Sequence, residues 1–125
     1  MVIGILREPE TESRVAMLPG EVAGLIKLGV EVIVEKKAGE RAFVSDKEYE
    51  GAGALISSRD EVMLRSNLLL SVNPLLSDDP EKFREGQVLC SVVNPVENPE
   101  WLEQARIHGL TVLALDMVPR TTRAQ

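Results

Sequence analysis

The chain has 125 residues, enough for one domain with a real core, and its 44% hydrophobic and 27% charged residues place it among soluble globular chains and outside global disorder. A net charge of −6 argues against nucleic acid, whose phosphates require a basic face, and against an anionic membrane surface, while leaving room for a local basic pocket. A single cysteine excludes an intrachain disulfide, and one cysteine with one histidine offers no metal-ligand spacing.

The elements follow in chain order. Aromatics are only 3%, so the core must be built from Val, Leu, Ile, Ala and Met. Val2 to Leu6 is a short apolar run closed by Arg7-Glu8-Pro9, which predicts a first, buried strand. The opening lacks the basic start and long apolar stretch of a signal peptide, and no window approaches the roughly 20 apolar residues that span a bilayer. A polar loop from Glu8 to Arg14 leads to Pro19, which suits a first helical turn. From there to about Leu28 the positions Val22, Leu25, Ile26 and Leu28 predict one helical face, stopped by Gly29. Val30 to Val34 is a second strand, completing a right-handed βαβ unit.

Ser45 with Glu48, and Ser58 with Glu61, carry the capping-box spacing. They predict one short helix to about Ala52, ended by Gly53, and another toward Arg65, with a brief strand at Ala54 to Ile56 between them. Leu68 to Val72 is a further buried strand, ended by Asn73-Pro74. A polar helix is expected from Asp78 to Arg84, then a β-branched strand from Gln87 to Val93 and a turn at Asn94-Pro95. Cys90 in that strand reads as a buried thiol, since no basic group is near it in sequence. Asn98 and Pro99 open a last helix whose face holds Trp101, Leu102, Ala105 and Ile107. Gly109 ends it and Leu110 to Leu115 is the last strand. Strand and helix alternating about five times predicts an α/β fold: a Rossmann-like, doubly wound, mostly parallel sheet with helices on both faces. It lacks the glycine-rich dinucleotide fingerprint, because Gly4 lies inside the first strand and Ile5-Leu6-Arg7-Glu8-Pro9 follows it. Cofactor binding by this chain alone is therefore not expected.

Candidate chemistry gathers at the carboxyl ends of the strands. Asp116 to Gln125 leaves the last strand with Arg120, Arg123, two threonines and Gln125, which is either ligand-site chemistry or a polar tail. Asp116 either pairs with Arg120 or Arg123 or steers a ligand. Arg7, Glu8 and Arg14 flank the end of the first strand. Arg14 suits a carboxylate clamp, or a turn fixed by pairing with Glu8, Glu10 or Glu12. Ser71, Asn73 and Asn94 belong to the same sheet edge, with ordinary turn chemistry as the alternative. His108, at a helix C-terminus, reads as structural: one histidine assembles no nucleophile-base-acid set.

Taken together, Ile3-Gly4-Ile5-Leu6-Arg7-Glu8, Glu12-Ser13-Arg14-Val15-Ala16, Pro19, Leu28-Gly29, Val30-Glu31-Val32, Glu35, Ala38-Gly39, Tyr49, Ala52-Gly53-Ala54 and Arg84-Glu85-Gly86-Gln87 resemble the alanine dehydrogenase and nicotinamide nucleotide transhydrogenase family. The likeness covers essentially the whole chain, and residues 1–125 are expected to form one N-terminal-type domain that a NAD-binding domain would follow. Alanine dehydrogenases place a lysine on the strand before the Asn-Pro turn and a histidine at the end of the next, where this chain has Ser71 and Asn94. Arg14 matches a substrate arginine shared across branches. The run Ala114 to Gln125 resembles instead the transhydrogenase alpha subunit. That resemblance implies the NAD-binding component of a proton-translocating NAD(P) transhydrogenase, in which hydride passes from NADH to NADP+. It implies that Arg120 and Gln125 help hold the nicotinamide end, with Arg14, Asp116 and Arg123 near the cleft. It further implies NAD(H) in the complete protein, NADP(H) on a partner component, and further domains or subunits as partners. A homodimer in the assembly and a cytoplasmic position, peripheral to the inner membrane through those partners, also follow from it. The alternatives are a non-catalytic scaffold of the same fold and an alanine dehydrogenase N-terminal domain.

Overall fold

The computed structural model describes residues 1–73, 82–91 and 98–114. Within them six strands form one sheet: β1 (Val2–Ile5), β2 (Glu31–Glu35), β3 (Leu55–Ser57), β4 (Leu68–Leu70), β5 (Val88–Ser91) and β6 (Thr111–Ala114). Their order is β3-β2-β1-β4-β5-β6, and all five pairings are parallel. Among the described residues four α-helices connect them: α1 (Pro19–Lys27), α2 (Asp46–Gly51), α3 (Arg59–Arg65) and α4 (Pro99–Ile107). The expected doubly wound fold is present, with every described pairing parallel. The expected polar helix from Asp78 falls mostly outside the described residues, as does the Asn94-Pro95 turn.

Local signals account for most of the boundaries. Ser45 Oγ accepts from Glu48 N (3.3 Å) and Glu48 Oε1 accepts from Ser45 N (3.4 Å), so the box at α2 is reciprocal. Ser58 Oγ accepts from Glu61 N at the start of α3. Pro19 opens α1, and Gly29 follows it at φ 86°, a conformation that favours glycine. Asn98 stands at the N-cap of α4, but its side chain does not make the capping bond. Leu28 and Ile107, expected on helical faces, are both exposed. Each lies well off the buried stripe when positions are counted at about 100° per residue from Val22 or Ala105.

Two cores lie on opposite faces of the sheet. Val22 of α1 and Tyr49 of α2 pack with Ile5, Val32 and Val34 on one face. Val62 and Met63 of α3 and Ala105 of α4 pack with Ile33, Leu69 and Leu89 on the other. The alternation of β2, with Ile33 facing opposite to Val32 and Val34, separates the two. Beyond β1, the α1/α2 face passes to Leu70, Cys90 and Leu113, which share one register row. Among the described residues no helix covers that row, and Leu113 is 51% exposed. Cys90 is therefore half-buried where a buried thiol was expected; burial still pushes its pKa up. Its strand buries Leu89 and Ser91 instead, on the alternate face.

Candidate functional site

The sheet order places a topological switch point between β1 and β4. From β1 the chain winds outward through α1 to β2 and β3, then returns by α3 to β4 and winds the other way. In such sheets the crevice outside the carboxyl ends of the two diverging strands is where ligands bind. Glu8, Arg14, Ser71 and Asn73 come from the segments that leave β1 and β4, as the sequence led us to expect.

Glu8 dominates the crevice. It is only 4% exposed. Its Oε2 accepts from Val72 N (2.8 Å), and its Oε1 accepts from Asn73 N (2.9 Å) and Asn73 Nδ2 (3.2 Å). The Ser71 hydroxyl has one proton for the Asn73 carbonyl oxygen at 2.7 Å or the Glu8 oxygens at 3.2 and 3.3 Å. Arg41 secures the same loop from the β2 side, donating from Nη1 to Glu8 O (3.2 Å) and Pro9 O (2.9 Å). Glu35, at the end of β2, accepts from Arg7 N and from Arg59 Nη1, both at 2.8 Å. The loop that leaves β1 is thus tied to β2 on one side and to β4 on the other. Sequence reasoning marked Glu8 only as a loop charge. Its one local signal is a carboxylate followed by proline directly after a buried strand.

Arg14 takes the turn-fixing role of its two readings. Its Nε and Nη2 donate to Glu12 at 2.8 and 2.9 Å, a bidentate pair, and its side chain is 71% exposed. Glu12 also accepts from Arg14 N (3.0 Å) and from Asn73 Nδ2 (2.8 Å), so it is coupled to the Glu8 cluster through one amide. The Arg14 guanidinium, then its backbone N–H, then Asn73 hold the Glu12 carboxyl down at about 2, from an ordinary 4.5. A depressed carboxyl contributes stability that is complete above the ordinary value and is lost as pH falls from 4.5 through about 2. Arg14→Ala should therefore move the Glu12 titration up toward 4.5. Carboxyl chemical shifts followed against pH measure it; an unmoved Glu12 would show that the backbone and Asn73 suffice.

His108 Nε2 lies 2.7 Å from Phe83 O, so that nitrogen carries a proton and joins the end of α4 to the segment before β5. Asn94, Asp116, Arg120, Arg123 and Gln125 lie outside the described residues. Among the described residues no group of three His, Cys, Asp or Glu could hold a metal ion, and no helix is long and apolar enough to cross a membrane.

A dinucleotide's pyrophosphate does not fit the described residues. It needs a glycine turn leading straight from β1 into a helix N-terminus. Here residues 6–18 separate β1 from α1, Pro19 occupies the first helical position, and a carboxylate fills the crevice.

Comparison with known proteins agrees with this architecture. The transhydrogenase from Sinorhizobium meliloti superposes with a TM-score of 0.90 at 32% identity, covering 100% of this chain and 38% of that one. The NAD(P) transhydrogenase subunit alpha of Haemophilus influenzae is 39% identical over 126 residues, 100% of this chain and 24% of its own length. The alanine dehydrogenase of Mycolicibacterium smegmatis is 32% identical over 94% of this chain and 32% of its own length. The chain thus spans well under half of each relative. Residues 4–125 match the family described as alanine dehydrogenase/PNT, N-terminal domain, and the chain belongs to that family.

Proposed function

We propose that this chain is the N-terminal part of the NAD-binding component of a proton-translocating NAD(P) transhydrogenase, which passes hydride from NADH to NADP+. The observation that carries the choice of branch is Ser71. Alanine dehydrogenases place a lysine at this position; here a buried hydroxyl turns toward Glu8 and Asn73 and offers no cation to a substrate carboxylate. The resemblance of Ala114–Gln125 to the transhydrogenase alpha subunit points the same way.

In this reading the nucleotide's phosphates are bound by a following domain. The arm from Asp116 to Gln125 reaches toward the nicotinamide end, where Arg120 and Gln125 fix its orientation and Arg14, Asp116 and Arg123 border the cleft. Direct hydride transfer needs two nicotinamide rings held in near-attack geometry, so the arm works by positioning, without proton chemistry. NADP(H) is held on a partner component, the complete assembly contains a homodimer of the NAD-binding component, and that component lies on the cytoplasmic side, peripheral to the inner membrane through its partner subunits. The half-open row of Leu70, Cys90 and Leu113 supports further protein packed on this domain.

The test is a chimera in which this chain replaces the matching N-terminal segment of a transhydrogenase alpha subunit, assayed together with that enzyme's NADP-binding component. Hydride transfer from NADH to an NADP+ analogue is expected, and Arg120→Ala should slow that step about tenfold or more with a smaller loss of NADH affinity. A chimera that binds NADH and transfers nothing supports the scaffold reading. One that reduces pyruvate with ammonia supports alanine dehydrogenase.

A further inference from the structure

We propose that Glu8 is the resident anion of the switch-point crevice, seated in a built carboxylate site whose donors belong to the turn after β4. Three features carry this. The donors are two consecutive backbone N–H groups, Val72 and Asn73, together with the Asn73 amide, and all converge on one carboxylate. Successive N–H groups aimed at one point form an anion-binding concavity. Each carboxylate oxygen is met by its own backbone donor, Oε2 by Val72 N and Oε1 by Asn73 N, which suits a planar carboxylate better than a tetrahedral phosphate. Lastly, the site is shielded from solvent and lies at the fold's usual ligand position, since Glu8 is 4% exposed between the ends of β1 and β4.

The consequence is that this domain closes its own ligand crevice. A doubly wound sheet normally leaves the switch point open for a ligand. Here the anion comes from the chain itself, delivered by the loop after β1 and locked by Arg41 on the carbonyls of Glu8 and Pro9. A nucleotide phosphate arriving at this point would meet a negative charge with its donors already taken. Among the described residues the domain is therefore closed to phosphate at its topological switch point. That closure holds whether or not the transhydrogenase reading is right.

Removing the side chain should uncover the site. In the full 125-residue chain, Glu8→Ala leaves a cavity of acetate shape lined by the same donors. Acetate or formate is expected to shift the Val72 and Asn73 amide resonances saturably and to raise the unfolding midpoint by on the order of 5 °C over chloride at equal ionic strength. Wild-type chain should show neither effect, and inorganic phosphate should shift the variant less than acetate does. Amide shifts in wild type as large as in the variant, or chloride and phosphate acting as well as acetate, would overturn the proposal. If Glu8→Ala does not fold, Glu8→Gln keeps the volume but sets an amide NH2 against donors. Exchange of the Val72 and Asn73 amides should then quicken at least tenfold while the Ile33 and Leu89 amides are unchanged, and unaltered exchange at 72 and 73 would equally refute the site.

Discussion

Gly4→Ala should destabilise the chain by about 3 kcal/mol, lowering the unfolding midpoint by roughly 10 °C, although it adds a single methyl group to a strand. Gly4 lies in the middle of β1, between Ile33 of β2 and Leu69 of β4. A Cβ there would stand 2.0 Å from Ser66 Oγ and 2.9 Å from both Ser66 Cβ and Leu69 Cδ2. Ser66 is fully buried at the C-cap of α3, and its hydroxyl donates to Val62 O at 2.6 Å. The methyl must therefore push the end of α3 off the sheet or break that bond. Urea unfolding measures the loss. Ser66→Gly in the Gly4→Ala background should recover more than half of it, while costing stability on its own, because neighbouring changes that relieve one clash are not additive. A loss below about 1 kcal/mol would mean that α3 does not press on β1 as closely as the structure describes.

Gln87→Leu should cost about as much, roughly 3 kcal/mol, with almost no change in volume. Gln87 is 1% exposed. Its Nε2 donates to Met63 O and to Ser66 O (2.7 Å), and its Oε1 accepts from Arg84 N (2.6 Å). Met63 O and Ser66 O are carbonyls at the C-terminal end of α3, which the helix itself leaves unpaired. Arg84 covers the rest, donating from Nε to Leu64 O and from Nη2 to Ser66 O, both at 3.1 Å. In Gln87→Leu, Met63 O loses its partner in a buried place and Arg84 N loses its partner in a partly buried one, whereas Ser66 O keeps Arg84. Arg84→Ala should cost less, since Arg84 is exposed and water can replace it. Chemical denaturation of the two variants decides the point: if Arg84→Ala is the more damaging, burial is not what makes Gln87 matter.

These residues show where the sequence could be read and where it could not. Ser45 with Glu48, and Pro19 with Gly29, act over three to ten positions, so a linear reading finds α1 and α2 with their ends nearly in place. The strands were legible because both faces of a parallel sheet bury apolar side chains. Leu28 and Ile107 were over-read because apolar residues near a helix end were counted without their angle around it. The burial of Glu8 and the role of Gln87 were missed for a different reason. Their partners lie more than 60 and more than 20 positions away, on segments that meet only after the sheet forms. Charge in a loop then looks the same whether it is solvated or buried. The two readings of Arg14 were separable only by distance to Glu12.

The two cores also differ in how far apart along the chain their members lie. The face built on Ile5, Val22, Val34, Tyr49 and Ala54 draws only on residues from the first half of the chain. The opposite face joins Leu6 and Ile33 to Leu89, Ala105 and Leu110, across most of the chain. Closing a loop costs entropy that rises with its length, and it must be met before the contact rewards it. As the polypeptide emerges from the ribosome, the first half can therefore settle on one side of β1 while the other side of the same strand still waits for its neighbour.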